Sequence, residues 1–171
     1  STIIKPKDKY NLQTLEDERT RIDVALKEKG YFYFKPEYLL FSADPTVGRR
    51  QIDLRLNVKP DAPKDAALPF RFRNIYVCDD YTYLNYHPDT TMIGNVHFVS
   101  QNHQFQPPLI LNTVLFQKDS LYSRSDHYNT LRNLMGIGVY RFVNAQFVLC
   151  DSMPGYMDVN VLLTPVKQKS L

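Results

Sequence analysis

One supersecondary unit is written twice in this chain. A helix that ends at glycine, an aromatic-rich strand and a second, alternating strand occupy residues 12–58 and again residues 125–166. In the first copy the amphipathic run closes at Leu26 and Gly30, Tyr31-Phe32-Tyr33-Phe34 opens a strand reaching Phe41, Asp44 marks a turn, and Ile52 to Val58 alternates. In the second, Leu131 and Gly138 precede Val139-Tyr140-Arg141-Phe142, that strand runs to Leu149, Asp151 marks the turn, and Met157 to Leu163 alternates. Internal repetition of this kind signals modules that stack in tandem.

The 171 residues suit two units of about 75–90 residues, small but able to bury a core. We place the division in the proline-bearing stretch 59–69, giving modules 1–64 and 65–171. Twelve Tyr and ten Phe against no Trp and six Gly favour packed, strand-rich structure over disorder. A net charge of +3 lacks the basic stripe of a nucleic-acid binder, so no nucleic-acid partner is expected. No apolar run approaches the roughly 18 residues of a membrane helix, and a chain that begins at Ser1 without an initiator Met reads as an excised fragment.

The first helix carries Leu12, Leu15, Ile22 and Leu26 on one face, with Thr14 and Asp17 as its expected capping pair and Gly30 as its left-handed stop. Pro36 forbids a central ladder position, so Tyr31–Phe41 is expected as an edge strand or a bulged one. Ile52, Leu54, Leu56 and Val58 alternate with polar residues and should bury one face. Phe70 to Val77 is a further strand. Residues 79–108 read as an insertion with a strand-like patch at 95–99, and 109–116 as another strand or a return to the first. A helix from Ser123 or Ser125 should turn Tyr128, Leu131, Leu134 and Met135 inward and stop at Gly136 or Gly138.

Candidate chemistry is sparse. Cys78 and Cys150 form no CxxC pair and read as small half-buried hydrophobes, with a disulfide open in an oxidising compartment. His87, His97 and His103 with Asp79, Asp80 and Asp89 have only generic spacing for a metal, and His127 reads as a surface residue. Ser120, Ser123 and Ser125 lack a nucleophile elbow. Gly136-Ile137-Gly138 follows a helix, which makes it a cap and not a phosphate cradle. Neither a catalytic site nor a cofactor is expected. Backbone chemistry remains: a strand at the border of a small sheet offers unpaired N–H and C=O groups to an extended peptide.

Four stretches resemble the polypeptide-transport-associated (POTRA) domains that precede the barrel in the outer-membrane assembly and translocation superfamily. Leu26 to Phe34 is similar to the family's LxxxGYF passage from helix to strand, and Phe70–Val77 to its first strand. Phe116–Ser123 resembles the turn that follows, with Lys118-Asp119 in place of the usual glycine. Thr130–Leu134 with Val139–Val143 resembles its TxxxL … LGxFxxV stretch. The resemblance implies an α+β fold of tandem β-α-α-β-β modules, each a small mixed sheet covered by helices. The first copy lacks an initial strand and is expected to be truncated, and the second carries the insertion at about 79–108.

The same resemblance implies a non-enzymatic region on the periplasmic face of the outer membrane of a Gram-negative bacterium, with its membrane barrel outside this sequence. Its expected partners are unfolded outer-membrane protein clients and accessory assembly proteins, taken up by strand addition. The candidate binding residues are the strands after each helix: Tyr31, Tyr33 and Lys35, and Val139, Arg141 and Val143. Other readings stay open: a spacer that orients a barrel, the POTRA region of a translocation or secretion pore, or a metal-dependent hydrolase using the three loop histidines.

Overall fold

The structure is a computed structural model that describes residues 2–48, 52–82, 89–102 and 105–166. In chain order its elements are α1 (Leu12–Lys27), β1 (Leu39–Asp44), β2 (Asp53–Val58), β3 (Arg71–Cys78), β4 (Asp89–Ile93), β5 (Val96–Ser100), α2 (Pro107–Leu111), α3 (Arg124–Gly136), β6 (Tyr140–Leu149) and β7 (Tyr156–Pro165). The chain divides into two compact units, Ser1–Leu68 and Pro69–Leu171. No described helix is long and apolar enough to cross a membrane.

In the first unit, α1 begins at Asn11, whose side chain accepts the Gln13 N–H at 2.9 Å, so the cap is Asn11 and not the expected Thr14–Asp17 pair. Gly30 (φ +97°) ends it as expected. Past that glycine the Tyr31 N–H reaches back to Leu26 O at 3.2 Å and the Phe34 N–H to Tyr31 O at 3.2 Å. Backbone groups used in closing a helix are lost to a ladder, and Pro36 then opens a 3-10 turn over Pro36–Tyr38. The strand expected from Tyr31 therefore starts only at Leu39.

β1 and β2 form a two-stranded antiparallel sheet with Leu39 opposite Val58, Phe41 opposite Leu56 and Ala43 opposite Leu54. Arg19 of α1 lies over the Phe41 ring at 5.5 Å from its centroid, so this face is the helix-facing one. Leu39 is buried, but Leu56 and Val58 on the same face are 40% and 55% exposed. The expected burial of one face of β2 is therefore not met: Arg19 of α1 reaches Phe41 of β1, while Leu56 and Val58 of β2 stay exposed.

The second unit is a five-stranded sheet in the order β4-β5-β3-β7-β6. β3 runs parallel to β7 on one side and to β5 on the other, while β4–β5 and β6–β7 are antiparallel hairpins. Without the β4–β5 hairpin the order along the chain is β3-α2-α3-β6-β7, a β-α-α-β-β unit. The first unit holds only the last three of those elements among its described residues.

On one face of the central strands Phe72, Ile75, Val77, Met157, Val159, Val161 and Leu163 are buried to 1% or less. An aromatic cluster of Phe72, Phe116, Tyr122, His127 and Phe147 continues that core, with the His127 and Phe147 ring centroids 4.9 Å apart. On the opposite face Cys78, Val99 and Leu162 form a smaller cluster flanked by Tyr76 and Tyr81.

The expected strand at 109–116 is instead the short helix α2 followed by coil, with Pro107 and Pro108 at its first turn. Of the residues expected inward on α3, Leu134 is fully buried, but Tyr128 and Met135 are 56% and 47% exposed. Thr130 takes the inward place: it is fully buried and its hydroxyl accepts the Leu115 N–H at 3.0 Å. Asp119 (φ +64°) occupies the left-handed position of the turn for which Lys118-Asp119 stands in for glycine.

Candidate functional site

Strand borders are the chemistry this fold offers, because a border strand keeps one row of N–H and C=O groups outside any ladder. β6 is such a strand. Its ten residues pair with β7 on one side, and no strand lies on the other among the described residues. Its helix-facing residues Val143, Ala145 and Phe147 stand opposite the buried Leu163, Val161 and Val159. By alternation, Asn144, Gln146 and Val148 look away from the helices.

The start of β6 is held firmly. The Tyr140 hydroxyl donates to Asp79 at the end of β3, and the Tyr140 ring packs edge-on against Phe105 at 5.5 Å. Burial, and then the Asp79 and Asp80 carboxylates, push the phenol well above its ordinary range, so it remains a donor. Asp80 in turn fixes the loop after β5, accepting the N–H groups of Gln101 at 2.9 Å and Asn102 at 2.8 Å.

The three second-unit candidates separate here. Val139 precedes the strand, and its carbonyl already accepts the Val166 N–H at 2.9 Å. Arg141 is exposed and lies at the register irregularity between Tyr140 and Phe142, opposite no residue of β7. Val143 is paired with Leu163 and half-buried. Of the first-unit candidates, Tyr31, Tyr33 and Lys35 lie in the helix-terminating turn and its exit, not on a strand. Tyr33 is half-buried, and burial with the nearby Asp65 charge raises its phenol. The expectation of a strand border at Tyr31, Tyr33 and Lys35 is corrected accordingly.

The other flank of β3 is closed. β5 lies along it with Ile75 opposite Val96 and Cys78 opposite Val99, so the insertion extends the sheet. That hairpin had a readable signal, the Gly94-Asn95 pair between Ile93 and Val96, where Gly94 has φ +61°. Its outer strand β4 is a second border, of five residues.

A polar clamp joins β3 to β7. Asp158 accepts from Arg73 Nε at 3.0 Å and Nη2 at 2.5 Å, and from the Asn74 N–H at 3.0 Å, at the irregularity in the β3–β7 register. The Arg73 guanidinium holds the Asp158 carboxyl below its ordinary range. Arg73 Nη1 also lies 2.8 Å from the Cys150 sulfur.

Cys78 and Cys150 are both buried, and no disulfide joins them. His127, expected at the surface, is instead part of the aromatic core, with Nδ1 3.1 Å from the Tyr122 hydroxyl, and burial lowers its pKa. His97 stacks on Tyr76 at 4.6 Å between centroids, while His87 and His103 lie outside the described residues. Among the described residues no group of three His, Cys, Asp or Glu is placed to hold a metal.

No family model matches the chain and no curated protein matches it in sequence. Solved structures do match in fold. BamA from Haemophilus ducreyi lacking POTRA domains 1–3 superposes with a TM-score of 0.56 at 13% identity, over 96% of this chain and 25% of that one. Haemophilus influenzae BamA POTRA3–5 superposes with a TM-score of 0.51 at 14% identity, over 94% of this chain and 51% of that one. The chain thus spans between a quarter and a half of the length of these two structures. Its fold is the α+β fold of POTRA domains.

Proposed function

We propose that this chain is the periplasmic polypeptide-binding region of an outer-membrane protein assembly factor, and that it takes up client or accessory chains as an added strand. The single observation that carries the reading is β6, a ten-residue border strand anchored at its start and unpaired along one side among the described residues. Strand addition draws its affinity from main-chain hydrogen bonds and asks little of the guest's sequence. That suits a non-enzymatic binder of many unfolded clients. Phe142 and Val148, 46% and 50% exposed, supply apolar contacts beside the backbone row. Arg141 and Val143 remain as candidate contacts on the strand, and Val139 is set aside because its carbonyl is engaged.

The fold likeness supports the placement on the periplasmic face of the outer membrane of a Gram-negative bacterium, with a membrane barrel and assembly proteins as neighbours. The test is the variant Arg141→Pro. It removes one N–H from β6 at the residue that β7 does not pair, so the hairpin should persist. Binding of a urea-unfolded outer-membrane barrel protein to the whole chain should fall about tenfold, the equivalent of ~1.4 kcal/mol. Unchanged binding by a variant that keeps the wild-type circular dichroism, together with wild-type β6 amide signals that do not respond to the client, would overturn the proposal.

A further inference from the structure

The inward side of α3 is held by residues of different kinds. Thr130 and Leu134, in its second half, are fully buried. In the first half the inward place is taken by the half-buried His127, whose N–H opens the helix ladder on Ser123 O at 3.0 Å. An ionisable ring thus stands where the start of the helix meets the sheet.

Its surroundings are aromatic on each element that packs against it. From β6 comes Phe147, with ring centroids 4.9 Å apart and the planes at 74°. From the coil before the helix come Phe116 at 6.3 Å and Tyr122 at 6.0 Å, and on α3 itself Tyr128 stacks against the ring at 5.3 Å. The Nδ1 atom lies 3.1 Å from the Tyr122 hydroxyl. The charged residues of the same turn do not neutralise a proton there. Arg124 is itself a cation, with its guanidinium over the Tyr128 ring at 5.1 Å from the centroid, and Asp126 forms no ion pair with His127 among the described residues.

A neutral imidazole suits this cage, because Nδ1 can accept the phenol's proton. A second proton reverses that bond, sets a cation near the positive end of a helix and costs it hydration. Aromatic faces attract a cation only weakly beside those losses, and burial holds the His127 pKa below its ordinary 6.5.

We propose that His127 is a proton-operated latch between α3 and β6. The neutral ring fastens the first turn of α3 against Phe147. The protonated ring leaves the aromatic cage, and that turn opens while Thr130 and Leu134 keep the second half of the helix in place. Linkage gives the sign: the closed state holds the neutral form, so closure is at full strength above 6.5 and weakens as pH falls from there toward the lower pKa of the closed state. The latch belongs to the second unit itself and does not depend on strand addition at β6 or on any client.

The test is ring titration and hydrogen exchange by nuclear magnetic resonance on the whole 171-residue chain, isotope-labelled and free of client. The range from about pH 7.5 to about pH 5.5 lies above the ordinary carboxylates. The His127 ring should titrate below 6.5. After correction for intrinsic exchange, opening at the His127 and Tyr128 amides should rise about tenfold per pH unit between 6.5 and the closed-state value, the slope of one proton, while opening at Leu134 and β7 stays within about twofold. His127→Phe keeps a ring in the cage without a titrating group, and His127→Gln removes ring and charge together; both should lose this pH dependence. Four results would overturn the inference: a ring that titrates at or above 6.5, wild-type opening indifferent to pH, the wild-type pH response in either folded variant, or an opening that takes Leu134 and β7 with it.

Discussion

Removing the carboxylate of Asp158 should destabilise the second unit, while the same change at Asp53, exposed on β2, should leave the first unit almost unaltered. The Asp158 side chain is 14% exposed and accepts three hydrogen bonds from β3, two of them from an Arg73 side chain that is 37% exposed. Truncation to alanine strips the Asn74 N–H of this acceptor, which costs about 1–2 kcal/mol. The ion pair adds only about 1 kcal/mol, because a guanidinium so open to water is screened. The expected total is about 2–3 kcal/mol, and with a slope near 1.5 kcal/mol/M it moves the urea midpoint down by roughly 1.3–2 M.

The assay is urea unfolding of the full chain, read at β7 amides for the second unit and at β2 amides for the first. The pH dependence has a definite sign. The folded carboxyl of Asp158 lies below its ordinary value of 3.8, so its contribution is fully present above that value and is lost as pH falls through the depressed one. Wild type and Asp158→Ala should therefore converge in acid. Two results would refute the reasoning: a change within ~0.5 kcal/mol of wild type at neutral pH, or an Asp53→Ala variant that loses as much as Asp158→Ala.

Thr130→Val, which keeps shape but removes the acceptor of the Leu115 N–H at a fully buried position, should lower stability by about 1–2 kcal/mol; Thr130→Ser should restore most of it in the same titration. In the first unit Glu18 is buried, bonded to Arg21 at 2.7 Å and to the Ile3 N–H at 3.0 Å, and the Arg21 bond is the main cause that lowers its pKa to about 2. Its contribution is full above 4.5 and fades as pH falls toward 2, so thermal unfolding of wild type should drop between pH 5 and 2 more steeply than that of Glu18→Gln.

Periodicity made the alternating strands and both principal helices legible, because side-chain alternation and a glycine stop are local properties. Tyr31 to Phe34 misled for the same reason. Four aromatic residues in a row favour a strand, yet Gly30 and Pro36 had already committed the backbone on either side, and the rings pack by side chain alone, as Phe34 does at 4% exposure. On α3 an apolar count chose Tyr128 and Met135, while the inward position went to Thr130, whose hydroxyl meets a backbone donor 15 residues away. Nothing local encodes that meeting. The apolar side of β2 was correctly located but wrongly buried, since a pattern states which side is apolar and not whether anything covers it. For β6, sequence suggested a border; only the strand order fixes which of its residues the neighbour leaves unpaired.

The parallel ladder between β3 and β7 ties Arg73 to a partner 85 residues further along. A chain that emerges from its amino end thus delivers the middle of the sheet long before the strand that completes it, and closing so wide a loop delays the event. The compact Ile93–Val96 turn lets β4 and β5 zip together at once and occupy one flank of β3 in the interval. The appended hairpin caps that edge of β3, so the flank reserved for β7 is the one left open to pairing.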